Sequence, residues 1–179
     1  MRYYDFFDSP HGRMLIVAGE DALTGIYFEG QKYHPALEPH WRLDPGHAPL
    51  RQAARELAEY FSGERTQFET PVAPEGTPFQ QGVWKAISTV PFGSTLTYGE
   101  LARRAGFSGS ARAAGAATGR NPLTIVVPCH RIVGAGGSLT GYAGGLNRKR
   151  ALLQLEGARR EPTRPASMVD AATSSECAA

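Results

Sequence analysis

Pro71, Pro74 and Gly76 crowd together near the middle of the chain, and neither a helix nor a sheet strand runs through such a cluster. They divide the 179 residues into two folding units, 1–76 and 77–157, each the size of a small domain. The tail, 158–179, contains Pro162 and Pro165 and no apolar period, and is expected to be disordered. The two units are opposite in charge. Residues 1–76 hold seven Lys and Arg against twelve Asp and Glu, a net of −5, whereas residues 77–157 hold nine against two, a net of +7. A strongly basic unit beside an acidic one predicts a polyanionic partner for the former. Electrostatic docking of the two units on each other would use the same charges.

In the first unit, Met14–Ala18 and Leu23–Phe28 read as strands of a hairpin turned at Gly19–Asp21. Residues 29–47, with Pro35, Pro39, Pro45 and Gly46, read as loop. Leu50, Ala53, Ala54, Leu57 and Phe61 recur at helical spacing between Pro49 and Gly63, so an amphipathic helix is predicted there, with a short strand at Thr66–Thr70. The second unit opens on Thr77, Pro78 and Gln80, a capping box with proline at the first helical position; Thr97 and Glu100 repeat the box. The helix begun at Thr97 ends near Gly106. A second, from Ser110 to Thr118, is closed by Gly119, and the pair has the dimensions of a helix-turn-helix. A last helix spans roughly Asn147–Glu156. Its first turn carries Arg148, Lys149 and Arg150, where the helix dipole disfavours cations, which points to phosphate contact or to a solvated basic face.

The apolar run Leu123–Val127 predicts a short buried strand that delivers Cys129 into a loop, between Pro128 and His130. Neighbours on an extended chain point to opposite sides, so thiol and imidazole act together only if Pro128 starts a turn. The second cysteine, Cys177, lies in the tail and has no assigned role; two such cysteines make no disulfide framework and have no zinc-ligand spacing with a histidine. No phosphate-binding Gly-Lys-Ser/Thr loop follows the glycines at 134–137 or 141–145. Neither a basic leader with an apolar stretch nor a membrane-length apolar run of ~20 residues is present, so a reducing cytoplasm is expected.

Pro128-Cys129-His130-Arg131 resembles the signature of the O6-alkylguanine-DNA alkyltransferases, or methylated-DNA–protein-cysteine methyltransferases. The likeness extends in family order and spacing through Phe79–Trp84, Tyr98–Ala102, Ala111–Gly115, Gly119–Pro122, Gly141–Leu146 and Leu152–Glu156, and more weakly back to Asp8–Gly12. The resemblance implies an α/β protein with a small ribonuclease-H-like N-terminal domain and a winged-helix-like (helix-turn-helix) C-terminal alkyltransferase domain. It implies direct reversal of O6-alkylguanine, and of O4-alkylthymine, by a single irreversible transfer to Cys129. His130 would be the base, acting through a water, and Glu156 would hold its far nitrogen, as nucleophile–base–orienter logic requires. Asn121 would shape the turn beside the cysteine and Tyr98 would donate to the guanine. Tyr142, Ala143 and Gly144 would close over the base, with Lys149 nearby. Ala111, Ala113, Ala114 and Gly115 would lie against the minor groove, Arg112 would fill the gap left by the extruded nucleotide, and Thr97 would be a further DNA contact. The family often has Val where Ala114 stands. Double-stranded DNA carrying O6-alkylguanine is the implied partner of a monomer that uses no cofactor. Some members bind zinc through N-terminal cysteines; this chain has none there, so no metal is expected. Two other readings share parts of the pattern. An inert alkyl-DNA-binding protein would share the DNA surface but lacks the cysteine, and a Cys-His hydrolase would account for Cys129, His130 and Glu156 but not for the basic unit.

Overall fold

The structure, a computed structural model, describes residues 1–107 and 110–160. The first unit is built on a meander of three antiparallel strands, β1 (Tyr3–Ser9), β2 (Gly12–Ala18) and β3 (Leu23–Phe28), with Phe6 opposite Leu15 and Ile16 opposite Ile26. The predicted hairpin, β2 and β3, thus supplies two of the meander's three strands. β1 escapes sequence reading because most of its residues are half-buried on both faces and show no alternation. A two-residue strand, β4 (Arg42–Leu43), forms inside the predicted loop and pairs with β1 in parallel, giving the order β3-β2-β1-β4. Helix α1 (Ala48–Phe61) covers β1 and β2 with Leu50, Ala53, Leu57 and Tyr60. Met14 to Ala18 on the central β2 are at most 1% exposed, which explains their unbroken apolar run.

No strand forms at Thr66–Thr70. Its backbone is held instead by Glu56, a fully buried residue of α1. Glu56 Oε2 accepts from Glu69 N (3.0 Å), Thr70 N (3.2 Å) and Thr70 Oγ1 (2.9 Å), and Oε1 accepts from Gln52 Nε2 (2.9 Å). Burial pushes this carboxyl up, but the hydrogen bonds from Gln52, Thr70 and Glu69 outweigh it and hold the group below its usual range.

In the second unit, α2 (Pro78–Ile87), α3 (Tyr98–Arg104) and α4 (Ala111–Gly119) pack on one another. Both predicted capping boxes close: Thr77 with Gln80, and Thr97 with Glu100. Trp84 Nε1 donates to Ala117 O (2.9 Å) and fastens α2 to α4. A small parallel sheet of β5 (Ser94–Thr97), β6 (Ile132–Val133) and β7 (Arg159–Arg160), in the order β6-β5-β7, flanks the helices. Helix α5 (Leu146–Leu155) follows, with Glu156 as its C-cap. The Ser108–Gly109 part of the predicted turn and the tail from residue 161, Cys177 included, lie outside the described residues.

Leu123–Val127 does not form the predicted strand. Ile26 N donates to Pro122 O (2.7 Å) and Thr124 N to Ile26 O (3.1 Å), so the run touches the outer edge of β3 briefly. The chain then reverses at Ile125, whose φ of 74° is costly for a β-branched residue, and Val127 N returns to Leu123 O (2.9 Å). Ile125 is 1% exposed, and burial in the shared core holds the strained turn.

Glu56→Ala orphans the Glu69 and Thr70 amides and is expected to cost about 3 kcal/mol, seen as a lower urea midpoint at unchanged slope. Glu56→Gln keeps one acceptor on the same scaffold and is expected to lose distinctly less.

Candidate active site

The turn between α4 and β6 is organised by one side chain. Asn121 Oδ1 accepts from Leu123 N (2.9 Å), while Nδ2 donates to Val127 O (2.8 Å) and to Cys129 Sγ (3.1 Å). After Pro128 the chain winds into a single 3-10 turn, Cys129–Arg131. With three residues per turn, successive side chains diverge by about 120°. Cys129 lines a cleft of about 750 Å³, whereas Arg131 lines a separate groove on another face. His130 is fully buried.

His130 Nε2 lies 2.7 Å from Glu156 Oε1. That same oxygen accepts from Tyr60 Oη (2.7 Å) and Arg131 Nη2 (2.9 Å), and Oε2 accepts from Arg131 Nε (2.9 Å). Arg131 Nη1 continues to Val90 O (2.7 Å). Facing a carboxylate, Nε2 must carry the ring proton, which leaves Nδ1 as the acceptor. Nδ1 is buried and has no hydrogen-bond partner among the described residues. The side-chain hydrogen bond to the sulfur comes from Asn121, not from the imidazole of the adjacent histidine.

Burial pushes the Cys129 thiol up, more than Asn121 and the Lys149 charge pull it down. Burial likewise pushes His130 down, against the upward pull of Glu156. The resting pair is therefore a neutral thiol beside a neutral imidazole. Burial alone would raise Glu156, but the hydrogen bonds from His130 and Arg131 hold it at about 2.

Two of the three cations at the start of α5 serve the interior. Lys149 is fully buried; its Nζ donates to the carbonyls of Ile132, Thr140 and Gly141, and burial lowers it to about 8. Arg148 Nε donates to His11 O (2.9 Å) and Nη1 to Gly144 O (3.2 Å), with the guanidinium 4.6 Å above the Phe28 ring. Phosphate contact, expected as one reading of this cluster, is closed to the fully buried Lys149, and Arg148 is half-buried on backbone carbonyls; Arg150 is exposed. Tyr98 lines the cleft with Cys129 and donates to Thr140 O (3.0 Å), so Tyr98 and Lys149 fix the same segment. Tyr142 and Ala143 continue that wall. A Cβ at Gly144 would stand 2.8 Å from the Tyr142 ring and 3.3 Å from Phe28, so only glycine allows this close approach.

On α4, Ala111 and Arg112 are exposed, and Ala113 and Gly115 line the cleft. Ala114 is not on this surface. It is fully buried and shares the inward stripe of Ala117 and Thr118, at helical spacing, so it offers a DNA strand nothing to touch. Thr97 uses its hydroxyl on the α3 cap. Sequence reasoning missed Arg120, which lies two helical turns beyond Arg112, a spacing that could have flagged it. Its guanidinium sits 3.9 Å over the ring of Tyr33, a cleft residue supplied by the first unit. Tyr60 was missed as well, and its place on the apolar face of α1 carried no sign of a polar role.

Residues 2–74 match the family model "6-O-methylguanine DNA methyltransferase, ribonuclease-like domain", and residues 78–158 match "6-O-methylguanine DNA methyltransferase, DNA binding domain". The chain is 48% identical over 159 residues to a methylated-DNA–protein-cysteine methyltransferase of Mycobacterium tuberculosis, covering 89% of this chain and 94% of the relative. It is 44% identical over 155 residues to one of Methanosarcina acetivorans, covering 87% and 98%. Among solved structures, that of Mycobacterium tuberculosis OGT in complex with DNA superposes with a TM-score of 0.80 at 46% identity, over 87% of this chain and 92% of that one.

The buried network has a pH signature. Glu156 sits at about 2 in the fold against an ordinary 4.5, so the stability it contributes is complete above about 4.5 and is lost as pH falls through about 2. His130, lowered by burial, acts in the same direction: the unfolded chain takes up its proton first, and stability declines as pH drops below the ordinary histidine range. Denaturant unfolding is expected to show the gap between the unaltered protein and Glu156→Gln narrowing from about pH 5 to about pH 2.

Proposed function

The chain belongs to the 6-O-methylguanine DNA methyltransferase family, and we infer that Cys129 is the residue that takes the alkyl group. The protein is a methylated-DNA–protein-cysteine methyltransferase, a DNA-repair protein that binds DNA and reverses guanine alkylation directly. Its fold is the two-domain one of the family, a ribonuclease-like domain followed by a DNA-binding domain. We assign residues 1–76 to the first and 77–157 to the second.

The observation that carries the assignment of Cys129 is its position. It is the cysteine that faces the cleft beneath α4, and a buried, neutral histidine fixed by a carboxylate adjoins it in the chain. In the reaction the thiol proton passes to His130 Nδ1 through a bridging water, since the two make no direct hydrogen bond. Sulfur bonds the alkyl carbon, the carbon–O6 bond breaks, and its electron pair stays on the guanine, which then takes up a proton. Attack at such a carbon requires the thiolate, which the resting site does not hold, so proton transfer accompanies substrate entry. Tyr98 gives its hydrogen to Thr140 O in the free protein, so stabilising the departing guanine requires that hydrogen to be redirected as the base enters.

In duplex DNA the alkyl carbon is inside the stack, so the nucleotide must leave it. The small side chains at Ala111, Ala113 and Gly115 let α4 approach the groove, and Arg112 occupies the gap. Phosphate contacts by a basic unit are nearly blind to sequence, which suits a lesion scanner. Among the described residues no group lining the site removes an alkyl group from sulfur, and the protein acts once per chain. The substrates are O6-alkylguanine and O4-alkylthymine in duplex DNA, handled by a monomer without cofactor in the reducing cytoplasm. Among the described residues, no helix is long and apolar enough to cross a membrane.

Intact-mass measurement with peptide mapping, under excess duplex carrying O6-methylguanine, is expected to find one added methyl group per chain, on Cys129. Cys129→Ala is expected to abolish transfer and retain DNA binding; turnover beyond one equivalent would exclude the single-use mechanism. Arg112→Ala is expected to slow repair of the duplex at least tenfold more than reaction with a free O6-alkylated guanine, a difference of about 1.4 kcal/mol or more. Equal losses on both substrates would assign Arg112 to the pocket instead.

A further inference from the structure

Tyr60 is the one direct donor to Glu156 that comes from the first unit, 96 residues away along the chain. Its ring is 1% exposed and packs among Phe61, Phe68 and Phe92 at centroid distances of 5.3, 5.6 and 6.2 Å. A phenylalanine would serve that packing as well. The buried hydroxyl needs a partner to offset its lost hydration, and the partner it has is Glu156 Oε1. That oxygen is also the one that holds His130.

We propose that Tyr60 is a positioning residue for the alkyl-transfer step: its hydroxyl fixes the Glu156 carboxylate and draws off part of the charge on Oε1, which sets how strongly that oxygen pulls on His130 Nε2–H. This rests on His130 being the base that takes the Cys129 proton. The groups involved are few. Glu156 faces Tyr60 from α1 and His130 and Arg131 from the 3-10 turn, while His130 also feels Lys149 from α5. Cys129 and Glu156 both bear on the Tyr142 hydroxyl. Tyr60 stays protonated, because burial and the neighbouring carboxylate both push it up, so it can only donate. With three donors on Oε1 the carboxylate's charge is divided three ways. Without Tyr60 it falls on His130 and Arg131 alone, and the protonated imidazole gains most from that. A protonated His130 cannot accept the thiol proton, so the acid limb of the rate profile moves to higher pH.

The test is Tyr60→Phe, which keeps the ring. Methyl transfer to Cys129 is followed by quench and intact mass across pH, the His130 ring is titrated by NMR, and duplex affinity is measured alongside. The acid limb and the ring titration are both expected to move up by about half to one pH unit, with affinity unchanged. 3-Fluorotyrosine placed at position 60 alone, a stronger donor of nearly the same shape, is expected to move both the other way, and it reads the proposal even if the Phe variant folds poorly. A uniformly slower reaction with an unmoved limb, or a downward shift in the Phe variant, would overturn the role. If the unaltered protein leaves Cys129 unmodified, or its acid limb does not track the His130 titration, the site assignment itself fails and takes this proposal with it.

Discussion

One buried carboxylate ties the two units to a single geometry. Glu156 receives four hydrogen bonds, from Tyr60, His130 and, twice, Arg131. Removing any one partner from a desolvated charge costs far more than the same pair would contribute on the surface. Arg131 spans both carboxylate oxygens and goes on to Val90 O, so the segment joining α2 to β5 is fastened to the same point. Because Glu156 caps α5, the helix that carries Lys149 and Arg148 is registered against the cysteine turn at one end and the cleft wall at the other.

Burial around that carboxylate opposes charge on both the Cys129 thiol and the His130 imidazole. The thiol stays protonated and the imidazole stays neutral, so in the proposed transfer the resting site is poorly nucleophilic toward stray electrophiles yet holds an unprotonated base. A protein that acts once per chain, as proposed, gains from such restraint. Lys149 is the exception, a buried cation that bears on the thiol and pulls it down. Its charge is tolerated because three carbonyls surround Nζ, and those carbonyls belong to β6 and to the segment that Tyr98 also holds. The unfavourable placement of cations at the start of α5 is offset in this way, with the backbone of the site as their ligand.

The first unit does more than cover a hydrophobic face. The outer edge of β3 is occupied by residues 71–73 on one stretch and 122–124 on the next, so an edge that could pair with another chain supports the cysteine turn instead. The strained Ile125 and the Asn121 bridge both depend on that support. Tyr33 reaches Arg120 across the cleft mouth, so the acidic unit contributes to the wall of the basic one.

The sequence by itself determined the helices, their caps and the segment that carries Cys129 and His130. Capping boxes at Thr77 and Thr97, the helical period of α1 and the Pro-Cys-His-Arg segment are short-range patterns, and their physics is complete within a few residues. Long-range partners were not legible. An apolar run such as Leu123–Val127 is equally consistent with a buried strand and a buried turn, and only the β3 edge and the Asn121 side chain decided for the turn. In α4, where nearly every side chain is small, nothing in the pattern marks which alanines face inward; packing against α2 and α3 put Ala114 in the core and left Ala113 and Gly115 on the cleft. Glu56 and Tyr60 sit in α1 at positions whose sequence context is ordinary. What each binds is fixed only when the tertiary fold brings its polar atoms to residues 69–70 and 156, because a buried hydrogen bond has no local signature when its two ends are distant in the chain.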